Sequence, residues 1–198
     1  MKKKLLYIVS EDWYFLSHRL SLAIEAQNKG YIINVLCKDT GKLKLIKSYG
    51  FNCYELSSSR EDMSFINLLK EIVNIRSVIR NIKPNLIHLV ALKPIILGLL
   101  STFLNYKIAI ITSITGLGSI FLSNNLKVKM IKAFIKFFLF INFKKNNINI
   151  IVQNKDDRDF CLNTLKCNKN NLHFIRGSGV NTKIFEFHEE PSFPPIVL

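Results

Sequence analysis

The sequence has no acidic residue between Glu71 and Asp156, a long gap in the middle of the chain. In the whole chain 28 lysine and arginine residues face 14 aspartate and glutamate residues, a net charge of +14. Almost all of that excess lies inside the gap. A block of one charge sign favours polyanionic partners, namely anionic lipid, phosphates or nucleic acid.

The chain is also poor in features that mark metal sites, secretion or membrane spans. Its four cysteines form no CxxC pair and have no zinc-site spacing, so they are interpreted as small buried residues in a reducing compartment. The apolar run after the first lysines has only about five residues, too few for a signal peptide. No run reaches the roughly 18 apolar residues that a membrane-spanning helix needs.

Short apolar runs alternate with longer amphipathic ones in most of the 198 residues. The pattern predicts strands at 5–9, 31–37, 51–56, 85–90, 107–113, 148–152 and 172–175, and helices at 17–28, 40–49, 64–82, 93–104, 124–143 and 156–164. The segment 10–19 between the first strand and helix is interpreted as a loop. Such alternation predicts an α/β fold with a doubly wound, mainly parallel, Rossmann-like sheet.

The stretch from 85 to 121 reads as strand, helix, strand and glycine turn. Lys93 follows one strand, and Thr115, Gly116 and Gly118 follow the next. In an open parallel sheet, ligands bind outside the carboxyl ends of the strands, so these residues are expected at the rim of a site. Taken alone, this glycine turn is about equally well explained as a turn that binds no ligand.

The predicted helix at 124–143 combines lysines with many large apolar residues, five of them phenylalanines. Lys129, Lys132 and Lys136 share one face, and Lys144 and Lys145 follow the helix. Three interpretations are open: a buried helix with a solvated lysine stripe, a helix lying on an anionic membrane, and a nucleic-acid face. The membrane is slightly favoured, and nucleic acid is the weakest, because arginine is scarce and no nucleic-acid fold signature occurs.

Five segments together resemble a known family: FLSHRLSLA, IHLVALKPIILG, TSITGLGSIF, IVQNKDDRDF and IRGSGVN. In this order they are similar to the N-terminal domain of family 4 glycosyltransferases of the GT-B type, especially bacterial enzymes of surface polysaccharide and lipid-linked oligosaccharide biosynthesis. The resemblance covers nearly the whole chain. It implies transfer of a hexosyl or N-acetylhexosaminyl group from a nucleotide-sugar, often a UDP-sugar, without a cofactor or metal.

The resemblance also implies site residues. Trp13, Phe15, His18 and Arg19 would contact acceptor and donor phosphate from the first strand-to-helix loop, although aromatic residues there also suit a core. Arg19 and His18 are expected at a helix start, where backbone N–H groups also attract anions.

Two further positions are implied near the reacting sugar and the donor. His88 and Lys93 are the catalytic candidates, but the family often has a second histidine where Val90 stands, and a core histidine or a solvent-reaching lysine is an equal alternative. Arg176, Gly177 and Gly179 would form a turn near the donor, or simply a flexible turn.

The resulting domain prediction is an acceptor-binding domain over 1–187, followed by a linker and the first residues of a donor-binding domain over 188–198. The expected partners are a nucleotide-sugar and a lipid-linked or glycan acceptor. The protein is expected in the cytoplasm, at the anionic surface of the inner membrane, and a separate subunit could carry the second domain. Such a half would have little activity alone. The alternative is a non-catalytic Rossmann-like binding module, or one subunit of a split glycosyltransferase.

Overall fold

The fold is given by a computed structural model, which describes residues 2–57, 64–103, 108–116, 126–177 and 179. The described strands are β1 (Lys4–Glu11), β2 (Ile32–Lys38), β3 (Asn52–Glu55), β4 (Leu86–Val90), β5 (Ala109–Ile114), β6 (Ile148–Val152) and β7 (Leu172–Phe174). The helices are α1 (Asp12–His18), α2 (Leu20–Asn28), α3 (Leu43–Ser48), α4 (Phe65–Ile82), α5 (Leu92–Ser101), α6 (Leu126–Asn142) and α7 (Lys155–Asp159). A π-helical turn, Phe160–Thr164, continues α7, and a 3-10 turn, Lys169–Asn171, precedes β7.

The seven described strands form one sheet in the order β3-β2-β1-β4-β5-β6-β7, and every neighbouring pair is parallel. The α/β, doubly wound, parallel prediction is therefore confirmed. The strand order reverses between β1 and β4, which makes their carboxyl ends the topological switch point. In sheets of this kind the switch point opens a crevice where ligands bind.

The core has two parts, one on each face of the sheet. Along β1 the side chains alternate: Leu6 and Ile8 join the apolar cluster under α4, α5 and α6, whereas Leu5 and Tyr7 join the cluster under α1, α2 and α3. This alternation is the period of a strand covered on both faces. The central strands are thereby fixed in register beneath both helix layers.

Glycine at position 98 lets α5 pack closely on the sheet. A Cβ atom there would lie 2.9 Å from Leu89 Cδ1 and nearer still to Cδ2 of the same side chain. Such distances are too short for carbon atoms, so glycine sets the spacing between α5 and β4. That spacing fixes the start of α5 relative to the switch point.

The segment predicted as a loop between the first strand and helix is corrected by the structure. Residues Asp12–His18 form α1, and only Arg19 separates it from α2. Phe15 is fully buried, and its neighbours Tyr14 and Leu16 pack partly against the same apolar cluster. Consecutive apolar residues show no helical period, so the sequence pattern did not predict this helix. The other element boundaries agree with prediction to within a few residues.

All four cysteines are free thiols, three of them buried and Cys53 half-buried. Burial raises the pKa of the Cys37 and Cys53 thiols, and it raises the pKa of Cys161 to about 12. Burial likewise raises the pKa of Cys167. The prediction that these cysteines are small buried residues is thus confirmed for three of the four.

Helix α6 lies in the layer of α4 and α5, and the structure corrects its predicted lysine face. Lys129 and Lys136 are exposed, but Lys132 is only 9% exposed. Beyond the helix Lys144 is exposed, whereas Lys145 is half-buried and donates from Nζ to Asn142 Oδ1 at 2.7 Å. Three of the five predicted membrane lysines therefore face solvent. Among the helices that the structure describes, none combines the length and apolar character needed to span a bilayer.

Candidate functional site

The candidate site lies at the carboxyl ends of β1 and β4, where the strand order reverses. Strand β1 leads directly into α1, and β4 leads through Ala91 into α5. Chain segments that diverge to opposite faces of the sheet leave a crevice between them. The first turns of α1 and α5 form its walls.

Asp12, in the first turn of α1, anchors one wall of this crevice. Its carboxylate is fully buried and accepts hydrogen bonds from the backbone N–H groups of Thr40 and Lys42, both at 2.8 Å, and from the Thr40 hydroxyl. Burial alone would raise the pKa of Asp12, but these bonds and the one from Trp13 N–H hold it below the ordinary value. The sequence analysis did not identify Asp12. The feature that could have identified it is the position of an acidic residue directly after a buried strand.

Trp13, Tyr14 and His18 form an aromatic group on the outer side of α1. The Tyr14 and His18 rings stack at 4.2 Å with 8° between their planes, and Trp13 meets Tyr14 edge-on at 5.7 Å. Trp13 is 40% exposed, and its indole N–H donates to Glu11 Oε2 at 2.7 Å. A fixed, accessible indole is a surface on which the apolar face of a sugar ring can pack.

Arg19 lies at the junction of α1 and α2, and it is 7% exposed. Its backbone N–H closes α1 on Phe15 O at 2.8 Å, and its Nη1 donates to His18 O at 3.0 Å. Burial lowers the pKa of Arg19, but an arginine stays charged at neutral pH. The expectation of a helix start holds for Arg19, which directly precedes α2, whereas His18 lies in the last turn of α1.

Phe15 is corrected from a binding residue to a core residue. It is fully buried, and its ring meets those of Tyr7 at 5.5 Å and Phe51 at 6.2 Å. The helical form of this segment explains the difference, because successive side chains of a helix point in different directions. Trp13 faces outward and Phe15 inward.

His88 lies inside the sheet layer, beneath α1 rather than at the surface. It is 3% exposed, its Nε2 is 2.7 Å from Ser113 Oγ, and its ring is 5.2 Å from that of Tyr7, its register partner on β1. Burial, and secondarily the charge of Arg19, lower the pKa of His88 to about 3. The imidazole is therefore neutral at physiological pH and acts as a hydrogen-bonding group, not as a proton carrier.

Lys93 and the turn after β5 border the same edge of the sheet. Lys93 is half-buried in the first turn of α5, Thr115 is half-buried, and Gly116 is exposed. Gly116 has φ of 135°, in the region that favours glycine, and a Cβ atom there would meet nothing within 4 Å. The backbone is thus open to a ligand at this point. Gly118 lies outside the described residues.

Arg176, Gly177 and Gly179 follow β7 at the far edge of the sheet. Both glycines have positive φ, 58° and 69°, and Arg176 lies over the Phe174 ring at 5.8 Å. Three strand spacings separate β7 from β4, roughly 14 Å, and four separate it from β1, roughly 19 Å. The structure therefore does not bring this turn together with the crevice at β1 and β4.

Within the described ranges, no three histidine, cysteine, aspartate or glutamate side chains lie together in the manner of metal ligands. The prediction that the protein needs no metal or cofactor stays a prediction.

Solved structures share this fold. A glycosyltransferase from Rickettsia africae ESF-5 superposes with a TM-score of 0.63 at 15% identity, over 93% of this chain and 45% of that one. Sucrose-phosphate synthase from Thermosynechococcus elongatus gives 0.67 at 11%, over 92% and 50%. UDP-GlcNAc 2-epimerase from Methanocaldococcus jannaschii gives 0.57 at 14%, over 88% and 45%. The chain thus spans about half the length of these structures.

No curated protein sequence matches the chain. The family model described as "Glycosyl transferase 4-like" matches residues 4–154, from β1 to the start of α7. This region contains the switch point and every candidate site residue except those of the turn after β7. The chain therefore belongs to the glycosyl transferase 4-like family.

Proposed function

We propose that this domain is the acceptor-binding N-terminal half of a glycosyltransferase that uses a nucleotide-sugar, specifically a UDP-sugar. The acceptor is a lipid-linked or polysaccharide glycan at the inner face of the cytoplasmic membrane, and the transferred group is a hexosyl or N-acetylhexosaminyl residue. Family membership over residues 4–154 supports sugar transfer in general. The nucleotide-sugar donor is proposed from the chemistry of the crevice, whereas the acceptor, its location and the transferred group are proposed from the resemblance of the five segments described above.

The observation that carries the proposal is the pairing of an exposed indole with fixed positive charge at the switch point. Trp13 offers a flat apolar surface, and sugars pack their C–H faces on such rings. Arg19, which directly precedes α2, and Lys93, in the first turn of α5, supply cations near the carboxyl edge of the sheet, one from each helix layer. Guanidinium groups bind phosphate through two parallel hydrogen bonds, so Arg19 is the stronger candidate for the donor diphosphate.

In this proposal the positive groups act on the leaving nucleotide. Sugar transfer leaves a nucleoside diphosphate whose charge grows as the bond to the sugar breaks, and preorganised cations stabilise that charge. His88 contributes from beneath as a neutral imidazole that fixes Ser113 and Tyr7. It is a positioning residue, because it is buried and its low pKa keeps the imidazole neutral near pH 7.

A second domain, on the same chain or on a separate subunit, completes the site in this proposal. The matched glycosyltransferase and sucrose-phosphate synthase are about twice as long as the part that this chain covers. The second candidate function is a non-catalytic Rossmann-like binding module or one subunit of a split glycosyltransferase, and the burial of His88, one of the two catalytic candidates, favours it. The turn after β7, which lies apart from the crevice, would then face the second domain.

Trp13 is the only tryptophan of the chain, so its fluorescence reports on the crevice directly. We expect UDP-glucose or UDP-N-acetylglucosamine, or a short glycan acceptor, to change Trp13 emission in a saturable way. Arg19→Gln and Lys93→Gln should weaken the response to the nucleotide-sugar, and Lys47→Gln on α3 serves as the matched control. If no sugar nucleotide or glycan alters the emission and calorimetry detects no binding, the proposed site is refuted.

Sugar transfer distinguishes the two candidate functions. The purified chain is mixed with a radiolabelled nucleotide-sugar and a lipid-linked acceptor, with and without a separately produced second domain. Transfer that appears only with the second domain supports the catalytic half. Binding without transfer in either mixture supports the non-catalytic module.

A further inference from the structure

An exposed apolar face on α6 is the feature that the proposed site leaves unexplained. Its five large side chains are between 43% and 71% exposed: Met130, Ile131, Phe134, Phe137 and Ile141. Four of them follow the spacing of one helical stripe, at positions 130, 134, 137 and 141. Exposed phenylalanines grouped in this way mark an interaction surface, because a soluble monomer gains nothing from them.

The opposite side of α6 fixes this orientation. Leu139, Phe143 and Asn142 are buried against the sheet layer, and Asn142 Nδ2 donates to Phe138 O at 2.9 Å. The helix therefore cannot turn its apolar face inward without losing its own packing. The name "α6 face" is used below for the five exposed side chains.

The charge around the α6 face selects the partner. Exposed Lys129 and Lys136 lie two turns apart along one flank of the helix, and exposed Lys144 follows its end with Nζ 3.7 Å from the Phe140 ring centroid. The sequence has no acidic residue from position 72 to 155 to offset them. Every charged residue from 126 to 145 is a lysine. Apolar side chains flanked by lysines match a bilayer surface with anionic headgroups, where rings enter the acyl boundary and ammonium groups remain at the phosphates.

The direction of α6 relates this surface to the crevice. The helix connects two parallel strands, β5 and β6, so it runs antiparallel to them and begins at the carboxyl edge of the sheet. Its 17 residues extend for roughly 25 Å from that edge. A membrane lying along the α6 face therefore reaches the same edge at which the candidate site opens.

We infer that the α6 face is a membrane-docking surface that holds the domain on anionic phospholipid, with Phe134 and Phe137 inserted into the bilayer interface. The inference extends the proposed function, which places the acceptor at a membrane, by naming the surface and the lipid class. It does not need the domain to transfer sugar. Lys132 and Lys145 take no part, because one is buried and the other is bonded to Asn142.

The first test is co-sedimentation of the 198-residue chain with vesicles of phosphatidylcholine, with or without phosphatidylglycerol. We expect binding to the anionic vesicles that falls with added salt, and little binding to the neutral ones. Lys129→Gln with Lys136→Gln should weaken binding by roughly tenfold or more. Lys44→Gln with Lys47→Gln, exposed lysines of α3 in the opposite layer, should leave it unchanged.

The apolar part of the surface is tested with Phe134→Ser and Phe137→Ser together, which should abolish most of the binding. The control pair is Leu22→Ser with Leu45→Ser, both about half exposed on the opposite layer. A second experiment measures a gain of signal instead of a loss of binding. In a Trp13→Phe background, the fluorescence emission of Phe134→Trp should shift to shorter wavelength when anionic vesicles are added. The emission of Leu45→Trp in the same background should not shift.

Absence of vesicle binding, or binding that the α6 variants leave intact, overturns the inference. So does a dimer in solution that Phe134→Ser and Phe137→Ser dissociate, because the α6 face would then pair with a second copy. Vesicle binding and the Trp13 response to sugar nucleotides are separate measurements. A negative vesicle result with an intact Trp13 response therefore refutes the docking surface alone.

Discussion

His88 Nε2 lies 2.7 Å from the Ser113 hydroxyl oxygen, inside the sheet layer between β4 and β5. The pKa of His88 in the folded protein is about 3. Between that value and about pH 6.5, the unfolded chain is protonated at this histidine and the folded protein is not. The folded pKa is depressed, so the contribution to stability is complete above about pH 6.5, the unfolded value, and is lost as pH falls toward 3.

We therefore expect the free energy of unfolding to fall by about 2 kcal/mol between pH 7 and pH 5 through this residue alone. The difference is measured by urea unfolding of the native chain and of His88→Gln, whose stability should lack this component of the pH slope. In NMR spectra the His88 ring signals should not titrate between pH 5 and 8. A His88 midpoint near 6.5 would contradict the buried, neutral state.

Asp12 also stabilises the fold less in acid, but for a different reason, because its carboxylate is needed in the charged form. Asp12→Asn replaces an acceptor of several hydrogen bonds by a group that accepts fewer, so we expect a loss of about 1–3 kcal/mol at pH 7. The folded pKa of Asp12 is lowered, so this contribution is present above about pH 3.9, the unfolded value, and disappears as pH falls through the folded value.

The measurement is urea unfolding of the Asp12→Asn variant at several pH values, with exposed Asp156→Asn as the control. The gap between the native chain and Asp12→Asn should close in acid, whereas Asp156→Asn should stay near the native chain throughout. A pH-independent gap would mean that the carboxylate charge is not what α1 depends on.

Gly98→Ala tests the close approach of α5 to β4. Alanine favours a helix by about 1 kcal/mol over glycine, but its Cβ atom would overlap the Leu89 side chain. Overpacking of this kind costs roughly 1–3 kcal/mol, so we expect a net loss of stability and a lower Tm. In the double variant with Leu89→Ala, the added methyl group should stabilise instead. Equal effects of Gly98→Ala in both backgrounds would exclude the contact.

Lys132 should behave unlike the lysines one turn away. Its side chain is nearly buried, so Lys132→Ala removes packed methylene groups and should destabilise by about 1–2 kcal/mol. Lys129→Ala and Lys136→Ala, at exposed positions, should stay within about 0.5 kcal/mol of the native chain. Thermal unfolding of the three variants measures the difference, and equal values would place Lys132 on the surface.

The strands were predictable because β-branched residues mark them locally, and their alternation with helices leaves few parallel topologies. Helix α1 was not, because it is held by bonds from Thr40 and Lys42 to Asp12, which are distant in sequence. Likewise, the helical period of the sequence places Lys129, Lys132 and Lys136 on one face of α6. It does not give the rotation of the helix about its axis, which decides which of these lysines is buried. That rotation depends on packing against the sheet.

The same limit applies to the candidate site. Lys93 and the turn at Gly116 follow the ends of two predicted strands, so their position at the carboxyl edge was predictable from the order of strands and helices along the chain. Whether Trp13 or Phe15 faces outward depends on the helical geometry of α1, which the sequence pattern did not predict. The burial of His88 follows from its register beside Tyr7, a tertiary relationship.

Three buried thiols and one half-buried thiol, Cys53, make the chain a convenient background for chemical labelling once Cys53 is replaced by serine. Cysteines with raised pKa inside a packed core react slowly with alkylating reagents until the fold opens. A single cysteine placed at position 134 or 45 would therefore take a spin label or fluorophore ahead of the three buried native ones. Under mild denaturation, the labelling rates of Cys37 and Cys161, which lie in the two different apolar clusters, would report whether these clusters open together or one after the other.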